Sequence, residues 1–450
     1  MAIHPIEYRY GTEEMKGVWN EEARLYKLLC VESALAKAES EVGLIPVEDA
    51  RTIAEKICAV SLDRVNEIED EIQHDVMALV LAIAEQCGDA GKWVHFGATS
   101  SDILDTATAL QLRDAIDIMG GRLHRLLDLL VGRADLYRET VCAGRTHGQI
   151  GIPTTYGMRF AIWACEIERQ IERMDQLRPR VVVGKIGGAV GTQASFGKKG
   201  IAIQKKTMDA LGIGSVDVAN QIVQRDRHCE FVMWMANTAT TLDKICTTIR
   251  NLQRSEIAEV AEGFGKKQVG SSTMPHKRNP IKSEQVCGLA RIVRGMVEPE
   301  LLNNTLWDER DLTNSSCERI VFPEACILTD HLINLTIKII DGLEFYPANI
   351  KRNLEHYRGL NMAESVMIVL AEHIGRQEAH SVIRDCAIAA RDCDRDLLDV
   401  LLERKEVTAH LDSGEIVAAM DPYSYIGTAV EQVDAVVARL RTETHTQTQV

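Results

Sequence analysis

Apolar side chains recur every three or four positions through long stretches of this 450-residue chain. Leu123, Leu126, Leu127 and Leu130 form one such stripe in the stretch beginning at Gly121, and Leu242, Ile245, Ile249 and Leu252 form another. That spacing lines one side of a helix, whereas alternating β-branched patterns are scarce. The ten prolines stand at 5, 46, 153, 179, 275, 280, 299, 323, 347 and 422. Nothing in windows 47–152, 180–274 and 348–421 therefore forces a helix to break. Breaks rich in Gly, Ser and Thr fall at 97–102, 184–200 and 270–273. The pattern predicts an all-α fold with several helices of about 25 residues or more. It divides into an N-terminal helical domain (1–103), a central bundle of long helices (104–347) and a C-terminal helical domain (348–450). Helices so long carry more apolar surface than one copy buries, which predicts packing against further copies of the chain. The polar end RTETHTQTQV reads as a frayed tail.

Composition narrows the class. Hydrophobic residues make up 46% and charged residues 26%, as in soluble globular proteins. Lys and Arg total 51 against 66 Asp and Glu, a net charge of −15 that argues against a general nucleic-acid binder. The longest unbroken apolar run, near 76–84, is far below the ~18 residues that span a bilayer. The start MAIHPIEYRYG has no cationic end followed by an apolar stretch, so no secretory signal is expected and a cytoplasmic location is. Twelve cysteines without a Cys-x-x-Cys pair read as reduced thiols. Thirteen histidines without a His-x-x-x-His pair predict no metal site, and no cofactor is expected.

Residues 264–284, FGKKQVGSSTMPHKRNPIKSE, reverse the overall sign of charge. No acid stands between Glu262 and Glu284, while Lys266, Lys267, Lys277, Arg278 and Lys282 do. A cationic loop of small residues steers and holds small anions, although a solvated basic loop has the same composition. Three segments mix histidine with small polar residues: Gln73-His74-Asp75, His95 to Asp102 with Thr99 and Ser100, and Arg145 to Gln149 around His147. Helix starts of this kind suit carboxylates and phosphates; an ordinary cap is the plainer reading. Six glycines between 184 and 200 read as a tight loop with a possible ligand contact, because no βαβ context surrounds them. Arg310, Ser315 and Arg319 lie close in sequence, as two arginines clamping a phosphate would.

Taken together, these segments resemble the fumarase/aspartase superfamily of lyases. The run Gly270-Ser271-Ser272-Thr273-Met274-Pro275-His276-Lys277-Arg278-Asn279-Pro280 is similar to its signature loop. His276-Lys277-Arg278 looks like the purine-lyase version, where fumarases carry Gly-Lys-Val. The likeness runs from Tyr8-Arg9-Tyr10 through Gly375-Arg376-Gln377-Glu378-Ala379-His380 to Tyr425-Ile426-Gly427 and points to archaeal members of the purine branch. It departs at Ile150-Gly151-Ile152-Pro153, where many relatives carry a second histidine.

The resemblance implies a homotetramer around a central helical bundle, each active site built from three chains. It also implies β-elimination of fumarate from anionic succinylated purine nucleotides, without nucleic-acid or membrane partners. Ser271 matches the general base, His147 the general acid and Glu284 the carboxylate paired with it. His74 and His95 match further active-site histidines, His74 nearest the substrate phosphate. Arg9, Tyr10, Gln73, Asp75, Thr99, Ser100 and Gln221 match nucleotide or succinyl contacts. Lys277 and Asn279 match carboxylate binders, and Arg310, Ser315 and Arg319 the phosphate and ribose side. Loop closure is expected to hinge near Gly263, Gly265 and Gly270. A sister lyase acting on argininosuccinate or carboxymuconate, and a non-catalytic helical oligomer on the same scaffold, are the alternatives.

Overall fold

Both leucine-rich stripes lie on helices and point inward. Leu123, Leu126, Leu127 and Leu130 are buried on the helix Ser100–Leu136, as are Leu242, Ile245, Ile249 and Leu252 on Asp226–Leu252. The computed structural model describes residues 4–265 and 273–447. Among them, two further helices exceed 25 residues, Tyr156–Val181 and Thr313–Asp341. Pro179 and Pro323 sit inside these two and remove a backbone donor without ending either helix. Thr313–Asp341 is also long and apolar enough to cross a membrane by length and composition, and 67% of its most apolar 18-residue window is buried in the protein's own interior.

Strands are few. Val141–Thr146 pairs antiparallel with Gln149–Thr155, Val183–Gly184 parallel with Gly214–Ser215, and Val260–Ala261 antiparallel with Glu344–Phe345. The first pair is a genuine hairpin that the scarcity of β-patterning did not announce. Its strands carry Gly144, Gly151 and Pro153, and its register slips between Ala143 and Arg145. The last helix runs Ala429–Gln447, so most of the tail expected to fray is helical. No Gly or Pro interrupts it, and Arg441 near its end donates to Asp135 at 2.8 Å.

The chain forms two compact units, each assembled from separated stretches. The first comprises Met1–His124, Arg169–Asp243 and Val286–Leu335. Its main core joins Leu35, Ile53, Leu79, Ile83, Ile103 and Ile203, from helices including Glu21–Glu41, Val47–Lys56, Asp75–Cys87 and Gly200–Leu211. The second comprises Arg125–Glu168, Lys244–Gln285 and Thr336–Val450. Its largest core gathers Val366, Leu370, Ile383, Leu397, Leu401 and Ile416 from the helices after residue 363. All twelve cysteines are free thiols and seven are buried.

Candidate active site

In the first unit, two helix starts carry four of the predicted residues. His74 caps the helix Asp75–Cys87, its Nδ1 accepting from the Met77 N–H at 3.1 Å. Asp75, next in line, accepts its own Val76 N–H at 2.8 Å and an Arg319 Nη2 donor at 2.8 Å, while Arg24 Nη2 stands 3.8 Å away. Burial alone would raise the Asp75 pKa, but the Val76 N–H and the two guanidiniums outweigh it and hold the carboxylate below its ordinary range. Gln73 closes the preceding helix in a left-handed conformation (φ 55°) and donates to the Asp70 carbonyl at 2.8 Å. Its amide is thus turned toward its own helix end.

The second helix start surrounds Asp102. Thr99 N–H donates to its Oδ2 at 3.0 Å, Gly188 N–H to the same oxygen at 2.9 Å, and Gly187 N–H to Oδ1 at 2.8 Å. The Lys185 ammonium, fully buried, donates to Oδ1 as well. The glycine loop therefore spends these two N–H groups on a carboxylate of the chain itself. Gly191 serves the same tight packing, since a Cβ there would lie 2.0 Å from the Ala219 carbonyl oxygen. Thr99 and Ser100 are half-buried at this start. His95, just before it, adopts φ 61° and places Nδ1 2.6 Å from Oε1 of the buried Glu32. Burial opposes its positive charge, but Glu32 and then Asp102 prevail and raise the pKa.

Arg310, Ser315 and Arg319 line one cavity of about 280 Å³, together with Arg24, Asp105 and Arg225. Arg310 donates from Nη1 to Ser101 Oγ at 3.1 Å and to Gln221 Oε1 at 3.3 Å, while its Nε is buried without a partner among the described residues. Gln221 in turn donates to the Ala189 carbonyl at 2.9 Å. Arg225 is clasped by Asp105 at 2.8 and 2.9 Å and by Glu318 at 2.7 and 3.0 Å, so its charge is satisfied internally. Arg9 is exposed just past the first short helix, and the Tyr10 ring lies 5.6 Å from that of His331. Neither lines that cavity.

Behind Arg225, the ligating atoms of His228, Glu300 and Glu318 fall within 4.8 Å of one another, a grouping that sequence spacing did not suggest. Burial, then Arg225, holds the His228 pKa at about 3; burial, then Glu318, pushes Glu300 up to about 8. Both shifts favour the uncharged forms, while Glu318 is taken up by Arg225 and, at 3.0 Å, by Asn314.

The second unit carries the rest. His147 (φ 53°) and Gly148 (φ 73°) form the two-residue turn between Val141–Thr146 and Gln149–Thr155. Two successive left-handed residues define a type I′ hairpin turn, and this one presents the imidazole to solvent. Ion pairs within 4.0 Å join His4 to Glu324, His74 to Asp75 and His95 to Glu32; among the described residues His147 is not joined to Glu284. Glu284 instead stands exposed in the first turn of Ile281–Gly295, lining an open groove of about 850 Å³ with Lys277 and Asn279. That helix start is held by Glu262, which accepts the Lys282 and Ser283 N–H groups at 3.2 and 2.6 Å. Arg278 lines the same groove but is held to Glu344 at 2.9 and 3.1 Å and stacks 4.8 Å over Phe264. Ser271, Lys266, Lys267 and the hinge at Gly270 lie outside the described residues.

Sequence reading passed over Glu32, Arg24 and Asp102 as site-building groups. Asp102 stands in the Thr99-Ser100-Ser101-Asp102 run and was legible as part of a helix start. Glu32 and Arg24 sit in a charged helix with no local signal, and only tertiary packing sets them beside His95 and Asp75.

Comparison with known proteins gives a consistent result. Residues 7–295 match the Lyase family, and residues 359–436 match the adenylosuccinate lyase C-terminus. The chain is 54% identical over 442 residues to the adenylosuccinate lyase of Methanothermobacter thermautotrophicus, covering 97% of this chain and 98% of the relative. It is 53% identical over 440 residues to that of Pyrococcus abyssi, with the same coverage. Among solved structures, a fumarate lyase from Mesorhizobium sp. BNC1 superposes with TM-score 0.89 at 30% identity, covering 95% of this chain and 98% of that one. The 3-carboxy-cis,cis-muconate lactonizing enzyme from Pseudomonas putida does so with TM-score 0.89 at 31% identity, covering 98% and 99%. With identity above one half sustained along nearly the whole length, the chain belongs to the adenylosuccinate lyase family.

Proposed function

We propose that this chain releases fumarate from adenylosuccinate, leaving AMP, and from succinyl-aminoimidazole-carboxamide ribotide by the same β-elimination. The observation that carries this reading is the 54% identity to an adenylosuccinate lyase across 97% of the chain. The proton removed lies on carbon beside a carboxylate, so the carbanion persists only if its charge spreads into that carboxylate. Donors facing the developing dianion supply about 3–4 kcal/mol each. Lys277 and Asn279, sharing one groove, suit that task. Ser271 is assigned as the base, activated by neighbouring cations and N–H groups when its loop closes. His147 delivers the proton to the departing nitrogen, oriented by Glu284. Arg310, Ser315 and Arg319 take the phosphate and ribose side, with His74, His95, Thr99, Ser100, Asp75, Gln73, Gln221, Arg9 and Tyr10 completing the pocket. No cofactor enters the reaction.

The working form is a homotetramer in the cytoplasm, with each site drawn from three copies. Exposed apolar side chains on the long helices support such packing: Ile162, Met233 and Ile320 are 48, 44 and 59% exposed in the single chain. An imidazole at an exposed hairpin tip is likewise well placed to enter a neighbour's pocket.

An absorbance assay following loss of adenylosuccinate, run beside argininosuccinate, tests the substrate. Fumarate released from argininosuccinate alone would favour the sister lyase. His147→Asn keeps a residue that the turn accepts and should lower turnover by about 10²–10⁴-fold; Ser271→Ala should do so comparably. Light scattering reads the oligomer, and a monomer with full activity would refute the shared site.

A further inference from the structure

We propose that Arg24 is a further phosphate-binding residue, paired with Arg319 across Asp75 and facing the same cavity as Arg310 and Ser315. The inference rests on the nucleotide-substrate reading above and adds to it a residue that the family resemblance did not single out.

Three observations converge. First, one carboxylate oxygen faces two guanidiniums: Asp75 Oδ2 lies 2.8 Å from Arg319 Nη2 and 3.8 Å from Arg24 Nη2. The other Asp75 oxygen is engaged by the Val76 N–H at 2.8 Å. One carboxylate thus meets two guanidiniums, with Glu69 and Glu21 also acting on Arg24. Second, the Arg24 guanidinium donates no hydrogen bond among the described residues, since 3.8 Å exceeds hydrogen-bond range. The Arg24 side chain is 39% exposed, so its fork of N–H donors stays open to a ligand entering the cavity. Third, Arg24 and Arg319 line both neighbouring cavities of the first unit, of about 280 and 200 Å³. The larger adds Arg310, whose buried Nε is also without a partner, and the Ser315 hydroxyl.

Three guanidiniums around one cavity (Arg24, Arg310 and Arg319), with planar donors still open at Arg24 and a hydroxyl at Ser315, fit a phosphate monoester, whose oxygens accept in pairs. A purely structural Arg24–Asp75 bridge would be expected to close to hydrogen-bond distance, as Arg319 has done. The same crowding explains why Arg24 holds its proton less tightly than usual: burial first, then Arg319, disfavours its charge. A dianionic ligand would relieve both.

The test uses the full-length protein and its Arg24→Gln and Arg24→Lys variants, with circular dichroism as a folding control. Binding of AMP and of adenosine, which differ only by the phosphate, is measured by calorimetry alongside KM and kcat for adenylosuccinate. Arg24→Gln is expected to weaken AMP about ten-fold or more while leaving adenosine unchanged, and to raise KM while kcat moves by less than about three-fold. Arg24→Lys should recover part of the loss. AMP and adenosine weakened equally, or neither affected, would overturn the assignment. Should the unaltered protein release no fumarate, the catalytic reading fails separately, and the AMP-to-adenosine ratio still decides the role of Arg24.

Discussion

His95 and Glu32, 63 residues apart, meet at 2.6 Å in the first unit, the histidine in a left-handed backbone conformation and the glutamate almost wholly buried. Burial pushes the imidazole toward its neutral form, yet Glu32 and, behind it, Asp102 pull the pKa above the ordinary value. Lys185 in turn neutralises Asp102. The stabilisation this contributes is complete below the ordinary imidazole pKa and fades as pH rises through the raised folded value. Glu32→Gln should lower the His95 pKa and flatten stability across that window. Histidine proton resonances followed through a titration read it directly; an unmoved midpoint would refute the coupling.

Asp102 joins Lys185, Thr99, Gly187 and Gly188 at one buried point. Asp102→Asn leaves the Lys185 charge buried and unpaired, a change expected to destabilise by about 3–5 kcal/mol. Adding Lys185→Met to that variant should restore a substantial part. Urea denaturation of the wild type, the single and the double variant measures both. A double variant no better than the single one would place the damage in the glycine loop instead.

Glu39 is fully buried and neither of its carboxyl oxygens finds a donor among the described residues. Burial, reinforced by Glu32, raises its pKa to about 8. Between the unfolded value near 4.5 and about 8 the folded protein keeps a proton that the unfolded chain has released. Stability attributable to Glu39 therefore falls as pH rises through that interval. Glu39→Gln cannot ionise and should gain relative to wild type at pH 8 compared with pH 5, as thermal melts at the two pH values will show.

The His147 hairpin depends on two glycines for different reasons. A Cβ at Gly148 meets nothing within 4 Å, so Gly148→Ala bears only the left-handed backbone penalty, roughly 1–2 kcal/mol. A Cβ at Gly144 would lie 2.5 Å from the Ile152 carbonyl oxygen, against the partner strand itself. Gly144→Ala should therefore disturb the strand pairing and lower both stability and turnover more than Gly148→Ala. Melting temperatures and turnover of the two variants, compared side by side, check the order.

Much of the helical framework was legible because its cause is local. The stripes at 123–130 and 242–252 bury the residues that their spacing selects, and both lie on helices within proline-free windows, whereas Thr313–Asp341 continues through Pro323. The hairpin around His147 was not legible, because glycines and a proline dilute its alternation. The tail was read as frayed from its polarity, although its residues are compatible with helix and Arg441 finds a distant carboxylate. Of the site, the histidines, the signature lysine and the arginine cluster could be picked out by residue type. The residues that tune them, Glu32, Arg24 and Lys185, could not, since each acts across 40 or more positions.

Periodicity, proline placement and the run Gly270 to Pro280 were enough, taken in one dimension, to establish helical class and lyase kinship, because helix propensity and loop composition act between near neighbours. Folding in three dimensions alone decided that each compact unit is stitched from separated stretches, and that the glycine N–H groups hold Asp102. It also decided which carboxylate meets His95 and that Arg24 shares Asp75 with Arg319. Charges interact through space rather than along the chain, so their partners, and the protonation states that follow, exist only once the backbone has brought them together.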